Sequence, residues 1–232
     1  MKETLNIIKS QQKSNLFYFR FFTKFFSIYL SYLFIKLKLS PNFITCLMLF
    51  PGLLGSWMLN FVDSIMYIFA GFFLILHDVL DTCDGEVARF KNIGTKFGEV
   101  LDEMVHLIVN SSIVFFSLKG IFSLLPFFFN KFEIYLIFFF LILSILDHFF
   151  KLFAKSNFKN SKSNTNYKAN SISMKLNELF FGNIAFFHMI FLFGILDTIL
   201  FNKPYISILY IFLYILFLSL KAIYRLVILS KY

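Results

Sequence analysis

Six apolar stretches, each close to the length that a helix needs to cross a membrane, constrain the fold of this chain more than any other feature. A membrane-spanning helix requires about 20 mainly apolar residues. The composition agrees, because 59% of the 232 residues are hydrophobic and only 15% are charged, which is more apolar than a soluble domain sustains. We therefore expect an all-α integral membrane protein with six transmembrane helices, near residues 42–62, 63–84, 98–120, 132–153, 178–200 and 204–229.

The N-terminal part of the chain has a different pattern. Residues 16–38 are apolar, but basic and hydroxyl side chains recur along one helical stripe at Arg20, Lys24, Ser27, Ser31 and Lys38. This spacing is typical of an amphipathic helix that lies in the membrane interface with its basic residues toward lipid headgroups. A seventh span is the alternative. We expect residues 1–38 to form a cytoplasmic and interfacial segment, and residues 39–232 to form the six-span domain.

The distribution of basic residues predicts the orientation in the membrane. All but three of the 22 Lys and Arg residues fall on the side that holds the N-terminus, the exceptions being Lys119, Lys131 and Lys203. Positive charge marks the cytoplasmic side of a membrane protein. The net charge of +9 then reflects topology and attraction to anionic lipid rather than nucleic-acid binding.

Composition also suggests a source. The 38 phenylalanines, with abundant Ile, Lys, Asn and Tyr, indicate an AT-rich genome. We therefore expect a multi-pass protein in the plasma (inner) membrane of a bacterium, with its acidic cluster facing the cytoplasm.

Acidic side chains cluster where the second and third predicted spans meet. Asp81 and Asp84 stand three residues apart on the second span, and Asp102 and His106 stand four apart on the third, so each pair projects from one helical face. Charges beside hydrocarbon are costly and mark functional sites. Three converging carboxylates require cations, and oxygen ligands favour Mg²⁺ or Mn²⁺. We expect a metal centre, with two ions.

Neighbouring residues indicate the chemistry. Arg89, a turn beyond Asp84, can meet phosphate oxygens through its planar fork of donors. Gly85 and Gly98 allow two helix backbones to approach closely. Divalent cations with an arginine suit attack on a diphosphate, because they neutralise charge on the phosphorus and on the leaving group. A small cation or proton transporter is the alternative, although acids gathered at one membrane face favour an enzyme.

Residues 81–106 resemble the signature of the CDP-alcohol phosphotransferase family, which reads D-x-x-D-G-x-x-A-R, eight residues, then G-x-x-x-D-x-x-x-D. Residues 40–45 similarly resemble the S-P-N-x-x-T entry to the first span of that family. Together with the six-span layout, the resemblance covers about residues 38–229. The matching positions of the longer signature are Asp81, Asp84, Gly85, Ala88, Arg89, Gly98 and Asp102.

The resemblance implies a reaction and a set of roles. A CDP-linked alcohol would donate its phospho-alcohol group to a hydroxyl acceptor, either a polar alcohol or a diacylglycerol-like lipid, with release of CMP. Asp81, Asp84 and Asp102 would bind metal, and a homodimer would be expected. The residues expected to bind the donor are Asn42, Thr45, Asp81, Gly85, Ala88, Arg89 and Gly98.

One position departs from the signature, because His106 stands where the family has its fourth aspartate. That aspartate is often regarded as the base for the acceptor hydroxyl. An imidazole titrates near neutrality and can serve as a base, but it is a poor ligand for Mg²⁺, which favours Mn²⁺ if His106 binds metal. The alternatives are another base, Glu99 or Glu103, and a catalytically altered relative. The predicted catalytic residues are thus His106, Arg89 and Glu99.

Overall fold

The described part of the chain is helical throughout. A computed structural model describes residues 2–12, 18–124, 132–160 and 183–229, and it contains no strand within them. The described helices, in chain order, are α1 (Lys2–Ser10), α2 (Tyr18–Lys36), α3 (Pro41–Met58), α4 (Ser64–Lys91), α5 (Lys96–Phe122), α6 (Phe132–Asn160), α7 (Asn183–Leu200) and α8 (Tyr205–Leu229).

Five of these helices are long and apolar enough to cross a membrane: α3, α4, α5, α7 and the Tyr205–Tyr224 part of α8. They coincide with the first, second, third, fifth and sixth predicted spans. Helix α6 covers the fourth predicted span but is not among the five, and neither is α2. The structure thus confirms a multi-pass helical architecture, while the total of six spans and the interfacial position of α2 stay predictions.

The connection between the second and third spans is shorter than predicted. Helix α4 continues beyond its predicted end, and only residues 92–95 separate it from α5, so most of the predicted connection 85–97 is helical. Asn92 ends α4 in the left-handed conformation, with φ of 58°, which Asn tolerates better than most residues. Thr95 then caps α5 by accepting a hydrogen bond from the backbone N–H of Gly98 at 3.0 Å. The motif residues 81–89 therefore lie inside a helix.

The interval between the fourth and fifth predicted spans, residues 154–177, is also partly helical. Residues 154–160 continue α6 to its end at Asn160. Residues 161–177, and the predicted start of the fifth span at 178–182, lie outside the described residues.

Helix α4 lies at the centre of the described bundle, packed against α2, α3 and α7. Small residues allow this close packing. A Cβ atom added at Gly55 on α3 would lie 2.9 Å from the backbone oxygen of Ala70, and one at Gly71 would lie 2.5 Å from the backbone nitrogen of Phe191 on α7. The residues of α4 that are wholly buried in the core include Tyr67, Ala70, Leu74, Cys83 and Val87.

The rotation of α2 corrects a prediction. Ser27 and Ser31 are buried against α4 rather than turned toward headgroups, and both are 0% exposed. The opposite face of α2 carries exposed aromatic side chains, including Phe25 and Tyr29. The polar stripe of α2 is therefore largely a contact between helices, because α4 offers buried carboxylates that these hydroxyl groups satisfy.

Candidate active site

The short turn at residues 92–95 brings Asp81 on α4 opposite Asp102 and His106 on α5. His106 Nε2 lies 3.2 Å from Asp81 Oδ1 and 3.3 Å from Asp102 Oδ1. Asp102 and His106 share one helical face because they are four residues apart. The side chains of all three are 27% to 34% exposed, so the cluster is accessible from outside the bundle.

These three side chains form a group that fits a divalent cation. One ligand atom from each of Asp81, Asp102 and His106 lies within 4.8 Å of the other two. Two carboxylate oxygens with one imidazole nitrogen make a donor set that Mn²⁺ accepts readily, whereas Mg²⁺ prefers oxygen alone. Three of the four predicted metal ligands thus converge.

The fourth predicted ligand, Asp84, is held by a contact with α3. Its Oδ2 atom accepts a hydrogen bond of 2.6 Å from the Thr45 hydroxyl on α3. Thr45 is buried, and it lies in the first turns of α3, which Ser40 caps by accepting from Phe43 N–H. The contact fixes the orientation of the Asp84 carboxylate and joins the two motifs that the sequence placed 39 residues apart.

Two glycines allow functional side chains to lie against a helix backbone. A Cβ atom at Gly98 would lie 2.9 Å from Asn42 Oδ1, and one at Gly85 would lie 3.1 Å from Nη1 of Arg89. Asn42 therefore packs at the start of α5, and the Arg89 guanidinium lies over the Gly85 backbone. A larger residue at either position would displace the end of the Asn42 or Arg89 side chain from its present place.

The acidic cluster borders a cavity with a volume of about 310 Å³. Residues with carboxylate side chains form much of its wall, and two cationic residues, Lys24 and Arg89, line it as well. The cavity therefore has the mixed charge that a site for a metal ion and an anionic substrate needs. The residues lining it are Gln12, Thr23, Lys24, Asp78, Asp81, Thr82, Asp84, Gly85, Glu86, Arg89, Asp102 and Ile184.

Several predicted residues lie beside the cavity rather than in its wall. Asn42, Thr45, Ala88, Gly98 and His106 are not among the lining residues, although all but Ala88 contact residues described above. The two candidate alternative bases differ from each other in position.

Glu99 is exposed in the first turn of α5 and does not line the cavity. Glu103 is largely buried, and its Oε2 lies 3.6 Å from Nε2 of His148 on α6. Neither carboxylate contributes to the cavity wall, so the base assignment of Glu99 stays a prediction.

Sequence reasoning missed part of the site, because it gave no role in the site to Gln12, Thr23 or Glu86 and placed Lys24 toward headgroups. The repetition of Thr23, Ser27 and Ser31 every four residues was a signal that one polar face of α2 meets a partner helix. His77 on α4 is buried, with Nδ1 2.9 Å from the Met48 backbone oxygen. Its ring lies perpendicular to that of His106, with the ring centroids 5.5 Å apart.

The fold and the site define a class: a multi-pass helical membrane protein with a polar, acidic cavity lined by residues of α2, α4, α5 and α7. Residues 38–229 match the sequence profile of the CDP-alcohol phosphatidyltransferase family. The chain belongs to this family, and the predicted resemblance is confirmed. Membership implies transfer of a phospho-alcohol group from a CDP-linked alcohol, in a family that generally depends on divalent metal. No curated protein sequence matches the chain.

Proposed function

We propose that this protein is a divalent-metal-dependent transferase that moves a substituted phosphate group from a CDP-linked donor to a hydroxyl acceptor. The acceptor oxygen forms a bond to the donor phosphorus, the bond from that phosphorus to the oxygen of CMP breaks, and the acceptor proton passes to a base. The observation that carries the proposal is the grouping of Asp81, Asp102 and His106 beside a cavity that Arg89 lines.

The proposed roles follow from the geometry of the side chains. A bound divalent cation would neutralise charge on the diphosphate and on the departing CMP. Asp81 and Asp102 would hold it, and Asp84, oriented by Thr45, would complete the acidic side of the site. Arg89 would bind phosphate oxygens, which suits the position of its guanidinium over Gly85.

His106 has two proposed roles, ion ligand and base. Its Nε2 atom lies within 3.3 Å of both Asp81 and Asp102. That position beside two carboxylates supports the ligand role. The two roles exclude each other, because the same nitrogen cannot bind an ion and accept a proton at once. If His106 binds the ion, the acceptor proton would pass to another group. Glu99, an alternative base predicted from the sequence, is the proposed group.

The sidedness and the oligomeric state are part of the proposal. We place the cavity at the cytoplasmic face of a bacterial plasma membrane, supported by the concentration of Lys and Arg on one side of the predicted spans. We also propose a homodimer, on the basis of the family alone. The acceptor is a polar alcohol or a diacylglycerol-like lipid.

The test is CMP release by the purified protein in detergent. Donors would include CDP-diacylglycerol, CDP-choline, CDP-ethanolamine and CDP-glycerol, each with candidate acceptors and with Mg²⁺ or Mn²⁺. We expect release that needs one donor, one acceptor and metal, that stops with EDTA, and that Asp84→Asn abolishes. Full activity of Asp84→Asn would contradict the assigned site, and metal flux in proteoliposomes without CMP release would support a transporter instead.

A further inference from the structure

Glu86 is a buried carboxylate inside the motif, and all three of its hydrogen-bond donors given by the structure come from the N-terminal segment. It is 2% exposed. Its Oε1 accepts from Gln12 Nε2 at 2.6 Å and from the Ser27 hydroxyl at 2.9 Å, and its Oε2 accepts from the Ser31 hydroxyl at 2.7 Å. Burial of a carboxylate is costly unless such donors compensate it. The contact is therefore specific rather than a general apolar packing of α2 on α4.

A second contact, to Asp78, fixes the rotation of α2. The Thr23 hydroxyl donates to Asp78 Oδ2 at 2.8 Å. Thr23, Ser27 and Ser31 follow one another at intervals of four residues and share one face of α2. Asp78 and Glu86 therefore accept hydrogen bonds from the same stripe of α2. A rotation of α2 about its axis would leave buried carboxylates without partners, which costs more than the hydrogen bonds themselves contribute.

The fixed rotation of α2 places Lys24 in the cavity wall. The backbone oxygen of Lys24 lies 3.1 Å from the Ser27 hydroxyl oxygen and 3.5 Å from Gln12 Nε2, so the residues that bind Glu86 also contact the Lys24 backbone. Lys24 and Arg89 are the two cationic side chains lining the cavity. Gln12, Thr23 and Lys24 all precede residue 38, where the family match begins.

We propose that the N-terminal segment forms a substrate-binding wall of this site, in which Lys24 contacts a phosphate group of a substrate and Glu86 is the positioning residue that holds the segment in place. This inference rests on the proposed function, because it takes the cavity as the substrate site. Phosphate is the chemistry that an ammonium group and a guanidinium group lining one cavity would recognise. The phosphate belongs either to the donor diphosphate or to a phosphorylated acceptor.

Variants of Lys24 test the contact. We expect Lys24→Met to weaken the binding of phosphate about tenfold or more, because a charge-assisted hydrogen bond is lost, and Lys24→Arg to retain most of it. Dissociation constants for CDP and for inorganic phosphate, each with Mn²⁺, would be measured by calorimetry, and KM for donor and acceptor by CMP release. If only the dissociation constant for CDP and the KM for the donor change, Lys24 contacts the donor diphosphate. If only the dissociation constant for inorganic phosphate and the KM for the acceptor change, Lys24 contacts a phosphate of the acceptor.

Variants of Glu86 test the positioning. In a Cys46→Ser background, Ile8→Cys reports docking of the segment, because Ile8 is 1% exposed. We expect Glu86→Ala to increase labelling of that cysteine by a water-soluble maleimide and to weaken phosphate binding as Lys24→Met does. The double variant, Lys24→Met with Glu86→Ala, should bind phosphate no more weakly than Lys24→Met alone, since both changes remove the same contact. The pair Ser27→Ala with Ser31→Ala removes two donors and serves if Glu86→Ala does not fold.

Asp197→Asn is the matched control. Asp197 is also a buried carboxylate, 0% exposed, and it accepts from the backbone N–H groups of Ile206 and Ser207 at 2.9 Å. It lies near the end of α7 away from Ile184, the residue of α7 that lines the cavity. This variant should lower the unfolding temperature and leave both dissociation constants unchanged.

Unchanged affinity for both probes in Lys24→Met would overturn the contact. Protection of the Ile8 cysteine in Glu86→Ala, with normal binding, would overturn the positioning role. Absence of CMP release by the wild-type protein would count against the proposed function alone, because the binding and labelling measurements do not need turnover.

Discussion

At the scale of single residues, hydrogen bonds between helices orient the acids of the motif. The bond from Thr45 to Asp84 is the shortest case, at 2.6 Å. Thr45 is buried, so loss of its hydroxyl would leave the Asp84 carboxylate without a directional partner on that side. The orientation of an active-site carboxylate affects turnover more than it affects stability.

We therefore expect Thr45→Val to lower kcat/KM about tenfold to a hundredfold, which corresponds to one hydrogen bond to a charged group, with little loss of thermal stability. Thr45→Ser keeps the hydroxyl and should retain most of the activity. CMP release kinetics would measure both. Normal activity of the valine variant would show that Asp84 is oriented by other contacts.

His106 can be separated into its two proposed roles by exchanging its ligand chemistry. We expect His106→Asp to retain transfer and to raise the activity with Mg²⁺ relative to that with Mn²⁺, because an oxygen ligand replaces an imidazole. His106→Ala should lower turnover about a hundredfold and raise the Mn²⁺ concentration needed for half-maximal activity, because an ion ligand is lost. An alanine variant with low turnover but unchanged affinity for Mn²⁺ would assign the base role instead.

The sequence was sufficient to predict that Asp81, Asp102 and His106 lie close together, since Asp102 and His106 share one face of the helix that follows Asp81. It could not predict that Asp84 lies outside this group of three and is hydrogen-bonded to Thr45 instead. That distinction depends on Thr45, whose position relative to α4 is a matter of packing between helices.

At the scale of helices, the contact between α4 and α7 depends on glycine. A Cβ atom at Gly71 would meet the backbone nitrogen and Cα of Phe191 at 2.5 and 2.6 Å. Backbone atoms cannot rotate away as a side chain can, so any larger residue would force the helices apart. Helix α7 also brings Ile184 to the cavity, so this contact supports the site.

We expect Gly71→Ala to destabilise the protein by about 2 kcal/mol, the magnitude typical of overpacking in a close contact. Gly94→Ala is the matched control, because nothing lies within 4 Å of a Cβ atom at that position. Thermal unfolding in detergent would compare the two variants. Equal unfolding temperatures would contradict the close approach of α4 and α7.

Helix boundaries followed from the sequence only in part. The apolar stretches located the helices, but α4 extends beyond its apolar part to Lys91. The polar residues of the motif continue the helix up to its cap at Asn92. Hydropathy marks where a segment leaves the membrane, whereas caps such as Asn92 and Thr95 mark where the helix ends.

At the scale of the whole molecule, the number of crossings determines which side each connection occupies. The turn at residues 92–95 and the connection at residues 201–204 lie on opposite sides if α5, α6 and α7 all span the membrane. They lie on the same side if α6 does not. The five described helices that are long and apolar enough to span do not decide between these cases, because α6 is not among them.

We expect opposite sidedness. Lys96→Cys and Lys203→Cys, both at exposed positions, would be introduced separately into a Cys46→Ser background and treated with a membrane-impermeant maleimide. Intact cells should label the cysteine at 203, and inverted membrane vesicles should label the one at 96, as the positive-inside rule predicts. Labelling of both from the same side would show that α6 does not cross.

The sequence by itself determined that this chain is a helical membrane protein, located five helices that are long and apolar enough to span the membrane, and identified its family. These properties reside in local patterns: apolar runs of membrane length and a motif whose residues share one or two helical faces. Only the tertiary structure decided that α2 turns its hydroxyl groups toward α4 and that Lys24 enters the cavity. Ser31 and Glu86 are 55 residues apart in the chain, and no local pattern reveals which buried carboxylate a polar stripe will satisfy.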